Sequence, residues 1–115
     1  MVDVSPERFE ELVGDALDGI PAELGRYMDN VAVLVADRGR QRGLLGLYEG
    51  VPLTERDAGY AGMVMPDRIT IYRNAICERC GTEAEVVEQV RVTVIHEVGH
   101  HFGIDDARLD ELGWA

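Results

Sequence analysis

The segment Thr82–Asp106 reads TEAEVVEQVRVTVIHEVGHHFGIDD, and it decides how the rest of the chain is interpreted. Thr82 followed by Glu85 forms a capping box, which predicts a helix start. Apolar residues then recur at helical spacing, and Gly103 is a residue type that ends helices. We therefore predict one long helix that runs to about His101 and carries all three histidines of the chain near its C-terminal end.

Two of the histidines share one face of that helix. Because positions i and i+4 lie roughly 40° apart, His96 and His100 stack one turn apart, and two imidazoles at this spacing suit Zn²⁺. Glu97 lies about 60° from His100, which is too far round for a ligand but suitable for a bond to a metal-bound water. Glu97 would take the proton of that water as it attacks a carbonyl carbon.

The third metal ligand has to come from outside this face. His101 lies roughly 140° from His96 on a regular helix, so we interpret it as a helix-capping residue or as a support for the ligands. Gly103 can adopt φ > 0 and turn the chain, which allows Asp106 to return beneath the metal. We favour Asp106 over the other nearby candidates, which are Asp105, His101 and Glu111.

The rest of the chain predicts a sheet and two further helices in one domain, residues 1–115. Ser5-Pro6-Glu7 is a helix start, and Asp105 or Asp106 caps a last short helix. The predicted strands are Val31–Ala36, Leu44–Glu49, Tyr60–Met65 and Arg68–Arg73, with the last two forming a hairpin. The predicted fold class is therefore α+β, with helices packed against one sheet.

Charge and composition exclude several classes of partner. The net charge is −11, and all 11 basic residues are arginines set against 22 acidic ones, so nucleic acid and anionic membranes are not expected partners. The acidic N-terminal segment does not resemble a signal peptide, and no apolar run approaches the roughly 18 residues of a membrane span. We therefore expect a cytoplasmic location.

The cysteines Cys77 and Cys80 form a C-x-x-C pair in a predicted tight loop. Two cysteines are too few for a disulfide framework, and a structural zinc site needs four ligands. Reduced thiols or a labile disulfide are the favoured interpretation, and a second metal shared with a symmetry mate is the alternative. If the loop lay over the cleft, a thiolate could block the zinc.

The pattern His96-Glu97-x-x-His100-x-x-Gly103-x-x-Asp106 resembles the metzincin branch of the zincin metallopeptidases in its Asp-ligand form. HEVGHHFGIDDARLDELG, together with ITIYRNAI ahead of it, is similar to minimal bacterial zincin-like proteins of about this length. The resemblance covers most of the chain. It implies a small mixed sheet on the active-site helix, one zinc ion per chain held by His96, His100 and Asp106, and Glu97 as catalytic base.

The resemblance also implies how a substrate binds. In zincins, a substrate strand pairs with an exposed sheet edge above the metal. The candidates for that edge are Ile69-Thr70-Ile71-Tyr72 and Tyr60–Val64, with an ordinary core or hairpin strand as the alternative for each. Tyr72 or Tyr60 is a candidate donor to the oxyanion, with packing as the alternative role.

Two departures from the metzincin pattern shape the functional expectation. No methionine follows Met65, so the Met-turn is absent, and the nine residues after Asp106 cannot build a subdomain that walls the cleft. We expect shallow substrate binding, or a homo-oligomer or partner that completes the cleft. The expected function is a zinc metallopeptidase that cleaves peptides or flexible protein segments. The alternatives are a non-catalytic zinc-binding module that recognises an extended peptide or partner strand, and hydrolysis of a non-peptide amide.

Overall fold

Five α-helices and a three-stranded sheet make up the computed structural model, which describes residues 1–50 and 66–114. A turn of 3₁₀ helix, Arg26–Met28, follows the second helix. The α+β fold predicted from the sequence is confirmed. The helices are α1 Pro6–Asp18, α2 Ala22–Gly25, α3 Arg73–Glu78, α4 Glu83–His101 and α5 Asp106–Glu111, and the strands are β1 Val31–Ala36, β2 Gly46–Glu49 and β3 Asp67–Tyr72.

Strand β3 lies in the middle of the sheet, which has the order β1-β3-β2. β1 pairs with it in parallel, with Val31 opposite Asp67, and β2 pairs with it antiparallel, with Gly46 opposite Ile71. The prediction that Ile69–Tyr72 forms a substrate-binding edge is therefore wrong, because both sides of β3 already hydrogen-bond to neighbouring strands. The other candidate edge, Tyr60–Val64, lies outside the described residues, as does the first strand of the predicted hairpin.

Local capping signals fix where the two main helices begin. The Ser5 hydroxyl accepts a hydrogen bond from the backbone N–H of Arg8 at 3.2 Å, as an N-cap residue does. At the start of α4, the Thr82 hydroxyl accepts from the Glu85 N–H at 3.1 Å, and the Glu85 carboxylate accepts from the N–H of Gly81. Both predicted helix starts are confirmed.

The core lies between one face of the sheet and helices α1 and α4. Ile69 and Ile71 of β3 are fully buried, and α4 packs against α1, β2 and β3. The middle of α4 is held in this core by its buried side chains, while its first turn and its last two residues are exposed. The buried residues of α4 are Val86, Val90, Thr93, Val94, Ile95, Val98 and Gly99.

Helix α3 replaces part of the predicted C-x-x-C loop. Cys77 lies within α3 and Cys80 lies just after it, and both are free, buried thiols of the hydrophobic core. The backbone N–H of Val2 donates to the carbonyl oxygens of both cysteines. The hypothesis that a thiolate on a loop over the cleft blocks the zinc is therefore wrong. The tight-loop prediction failed because Tyr72, the residue before α3, makes no side-chain cap bond, so the sequence lacks a start signal.

Within the described part of the chain, every helix is too short or too polar to cross a lipid bilayer. The expected cytoplasmic location stays a prediction.

Candidate metal centre

The chain reverses direction directly after α4. Gly103 has φ +80°, a backbone conformation that glycine adopts without steric cost, and the N–H of Ile104 donates to the carbonyl of Gly99 at 2.7 Å. The Asp105 carboxylate then caps α5 by accepting from the N–H of Arg108 at 2.9 Å. These bonds return the next residue, Asp106, to the face of α4 that carries the histidines.

The structure brings together the three side chains predicted as zinc ligands. Asp106 Oδ1 lies 2.8 Å from His100 Nε2, with which it shares a hydrogen bond, and 3.8 Å from His96 Nδ1. The centroids of the two imidazole rings are 5.8 Å apart. The hydrogen bond from His100 holds the pKa of the Asp106 carboxyl below its usual value, which favours the ionised form that a metal ligand needs.

The two distances from Asp106 to the histidines lie close to the spacing of zinc ligands. Ligand atoms on a tetrahedral zinc at ordinary bond lengths lie about 3.3 Å apart, between the 2.8 Å and 3.8 Å found here. Within residues 1–50 and 66–114, no group of three His, Cys, Asp or Glu side chains has the arrangement of a metal site. Asp106 instead forms a direct hydrogen bond with His100. The side chains of His96, His100 and Asp106 are 35%, 50% and 68% exposed, so they are free to move. Zinc binding stays a prediction.

The candidate base Glu97 contacts strand β2. Its Oε1 accepts a hydrogen bond from the backbone N–H of Tyr48 at 3.1 Å. In the β2–β3 register, Leu47 and Glu49 are the β2 residues whose N–H and C=O groups face β3, so those of Gly46 and Tyr48 point outward. Among the described strands, the sheet edge nearest the base is therefore β2.

Sequence reasoning missed the role of β2 and of Tyr48. A signal was available, because the predicted strand is short and is bounded by Gly43 and Gly50, and a short strand between glycines is typical of a sheet edge. The contact with Glu97 itself spans 49 positions of sequence, and no local pattern reports it.

His101 lies apart from the metal ligands, as helix geometry predicts. Its ring stacks on that of Tyr48 at a centroid distance of 3.9 Å, and its Nε2 lies 3.9 Å from Asp67 Oδ2. The Tyr48 hydroxyl donates to the same carboxylate at 2.7 Å. The end of α4 thus contacts Tyr48 through the ring of His101. Tyr48 is also the residue whose backbone N–H donates to Glu97.

Tyr72 does not face the candidate site. Ile71 packs towards Gly46 and Thr93 of α4, and successive side chains of a strand point to opposite faces. The Tyr72 ring lies instead against Gly39, where an added Cβ would be 2.8 Å from the ring. The candidate role of Tyr72 as oxyanion donor is therefore wrong, and its alternative role in packing is confirmed. Tyr60, the other candidate, lies outside the described residues.

An open cavity of about 310 Å³ lies between β2 and α4, and three of the candidate residues, His96, Glu97 and His100, line it. Its two walls are the N-terminal end of β2 and one face of α4, where residues at helical spacing lead down to the histidines. The lining residues are Leu44, Leu45, Gly46, Arg79, Gln89, Val92, Thr93, His96, Glu97 and His100. The cavity provides an approach to Glu97 from the side of the sheet edge.

Comparisons with known proteins bear on the fold and on the family of this chain. A conserved hypothetical protein from Thermus thermophilus has a similar structure, with a TM-score of 0.52, 24% sequence identity, and coverage of 95% of this chain and 97% of that one. Among curated proteins, no match to the chain was found. The family model described as zincin-like metallopeptidase matches residues 28–114, which is more than half of the chain. This chain therefore belongs to the zincin-like metallopeptidase family.

Proposed function

We propose that the chain is a zinc-dependent peptidase that cleaves peptides or flexible protein segments. In this proposal His96, His100 and Asp106 hold one zinc ion, and Glu97 is the general base. The observation that carries it is the return of the Asp106 carboxylate to the His96–His100 face, where the same helix also carries a second carboxylate, that of Glu97. A metal site that only binds zinc does not need this carboxylate beside its ligands.

Zinc bound at this site would supply Lewis acidity and lower the pKa of a water to roughly 7. The protein's part begins with Glu97, which accepts the proton of the attacking water and passes it to the leaving amine. Its position beside His96 on α4 is fixed, because the flanking residues Ile95 and Val98 are fully buried in the core.

Strand β2 is the proposed platform for the substrate backbone. The outward N–H and C=O groups of Gly46 and Tyr48 match those of an extended peptide, which would add to the sheet as a fourth strand. The Tyr48 N–H that now bonds Glu97 would then turn to a substrate carbonyl. This exchange frees the Glu97 carboxylate for the attacking water at the moment when a peptide arrives.

The second candidate function is a zinc-binding module that recognises an extended strand without cleaving it. The Glu97–Tyr48 bond favours it, because a carboxylate that fastens β2 to α4 has a structural use without any catalysis. The exposure of Asp106 also suits a site with one open side. Both candidates use the same metal and the same sheet edge, and they differ in whether Glu97 moves a proton.

One paired experiment separates the two candidates. Zinc content is measured by elemental analysis, and a broad peptide library is incubated with wild type, with Glu97→Gln, and with the control Glu10→Gln on the exposed face of α1. About one zinc per chain in all three, with cleavage lost in Glu97→Gln alone, supports the peptidase. Zinc in all three without any cleavage favours the binding module. Failure to retain zinc after careful loading contradicts both.

A further inference from the structure

An arginine lines the same cavity as the two candidate histidine ligands. Arg79 is exposed, lies directly after α3, and shares the 310 Å³ cavity with His96, Glu97 and His100. Within the described ranges, its guanidinium makes no ion pair or hydrogen bond with another residue. Of the described residues that line the cavity, Glu97 is the only acidic one. A permanently charged group therefore faces this space without a described protein partner.

Arg79 is one of four described arginines, with Arg26, Arg40 and Arg42, that make no ion pair with a described residue. With 22 carboxylates for 11 arginines, most described arginines lie beside a carboxylate. Arg40 and Arg42 resemble Arg79 in making no ion pair with a residue of the described ranges, and they line an adjoining cavity of about 640 Å³ that meets the first one at Leu44. The paired arginines are Arg8, Arg38, Arg68, Arg73, Arg91 and Arg108.

The spacing of the lining residues along α4 indicates how far Arg79 lies from the proposed reacting bond. Gln89 and His96 both line it, and they are seven residues apart on α4, or about 10 Å along the helix axis. Arg79 precedes α4 and lies towards the Gln89 end. Because an extended peptide advances about 3.3 Å per residue, this distance corresponds to roughly three substrate residues.

The direction of β2 indicates which part of the substrate reaches Arg79. A peptide that pairs antiparallel with β2 passes Glu49 first and Gly46 last. Its C-terminal part then continues past Leu44, which also lines the adjoining cavity together with Glu78, the chain neighbour of Arg79. A carboxylate two to four residues after the cleaved bond could therefore meet the guanidinium, either as an Asp or Glu side chain or as the C-terminus of the peptide.

We propose that Arg79 is a specificity residue that binds a substrate carboxylate on the C-terminal side of the scissile bond. This inference rests on the proposed peptidase function. A charge-assisted hydrogen bond from arginine is expected to favour the acidic peptide about 10- to 100-fold over its neutral analogue. The net charge of −11 repels acidic peptides at long range, so the preference has to arise from the local guanidinium.

The first test is a peptide series with Glu, Gln or Lys at each of the four positions after the cleaved bond. Each peptide is made with a free C-terminal acid and with a C-terminal amide, and kcat/KM is measured. Wild type should prefer a carboxylate about 10- to 100-fold, Arg79→Gln should lose the preference, and Arg79→Glu should prefer Lys. Arg26→Gln is the matched control, because Arg26 is exposed, makes no described ion pair and lines none of the cavities above.

The series also identifies the source of the carboxylate. If amidation of the peptide removes the preference, the bound carboxylate is the C-terminus. If replacement of Glu by Gln removes it, the bound carboxylate is a side chain. A wild-type enzyme that cleaves all peptides equally, or whose preference survives Arg79→Gln, overturns the inference while the proposed peptidase function stands.

A binding measurement separates the two proposals if no peptide is cleaved. Fluorescein-labelled acidic and neutral peptides are titrated by anisotropy into zinc-loaded Glu97→Gln, with and without Arg79→Gln. Tighter binding of the acidic peptide that disappears with Arg79→Gln supports the role of Arg79 even where the peptidase function fails. Equal binding of acidic and neutral peptides overturns it.

Discussion

The Glu97 carboxylate accepts a hydrogen bond at 3.1 Å from the backbone N–H of Tyr48, on the outward side of strand β2. The candidate base and the candidate substrate platform are thus in direct contact. In the proposed mechanism both partners of this bond are needed elsewhere, since Glu97 would reach a water and the Tyr48 N–H would reach a substrate carbonyl. The bond is therefore expected to break on binding of metal or substrate.

Zinc addition should change the environment of the Tyr48 amide. When Glu97 turns towards a water at the metal, the Tyr48 N–H loses its acceptor, and its ¹H–¹⁵N signal should move upfield in proton frequency. In Glu97→Ala the acceptor is already gone, so the same titration should move this signal much less. The Thr70 amide, in the central strand β3, is the internal control. An equal shift of Tyr48 in both proteins would show that Glu97 does not respond to the metal.

Asp106→Asn should weaken zinc binding strongly while leaving the fold intact. The proposed ligand loses its charge, so the dissociation constant should rise by more than the roughly 10- to 100-fold typical of a lost supporting residue. Asp105→Asn is the matched control, because Asn is as good a helix cap as Asp and Asp105 caps α5 without facing the histidines. Competition with a fluorescent zinc chelator measures both constants. Equal affinity of the two variants would remove Asp106 from the ligand set.

The site on α4 could be predicted from the sequence because local rules position it. The capping box at Thr82 and the positive φ of Gly103 act within the segment itself. Helix geometry then separates His101 from His96, and the turn at Gly103 returns Asp106 to the face that carries the other two histidines. Each of these inferences depends on residues only a few positions apart.

The sheet order could not be predicted in the same way. The alternation of Ile69 and Ile71 with polar neighbours shows which face of β3 is buried, but it does not report how many strands flank it. The number of flanking strands depends on the pairing of β3 with Val31–Ala36 and Gly46–Glu49, which are distant in sequence. The edge was therefore assigned to the wrong strand, and the Tyr48–Glu97 contact was missed with it.

The buried thiols should make stability fall at alkaline pH. Burial raises the pKa of Cys77 and of Cys80 above that of a free thiol, so the folded protein keeps these protons when the unfolded chain releases them at roughly pH 8.5. The stabilisation is fully present below that pH and is lost as the pH rises towards the folded pKa. Urea unfolding under reducing conditions from pH 7 to 10 should show a steeper decline in wild type than in Cys77→Ala/Cys80→Ala. Parallel curves of unfolding free energy against pH for the two proteins would contradict the raised pKa of the buried thiols.

The close approach of β2 to α4 depends on Gly46. A Cβ added there would lie 2.8 Å from Thr93 Cγ2 and 3.2 Å from the carbonyl oxygen of Thr70, so Gly46→Ala should push β2 off the helix. We expect a loss of about 1–3 kcal/mol in the free energy of unfolding and a fall in kcat/KM, because the strand that bonds Glu97 moves. Gly14→Ala is the contrast, since a Cβ on Gly14 meets no atom within 4 Å.

The steric cause of the Gly46→Ala effect can be tested by a compensating change. Thr93→Ser removes the nearest methyl group, Cγ2, and keeps the hydroxyl that accepts a hydrogen bond from Gln89. The double variant should therefore regain part of the lost stability and activity, although the contact with the Thr70 carbonyl remains. Chemical unfolding and peptide cleavage of the two single variants and the double variant give the coupling between the sites. Simple additivity would show that the contact between Gly46 and Thr93 does not set the position of the strand.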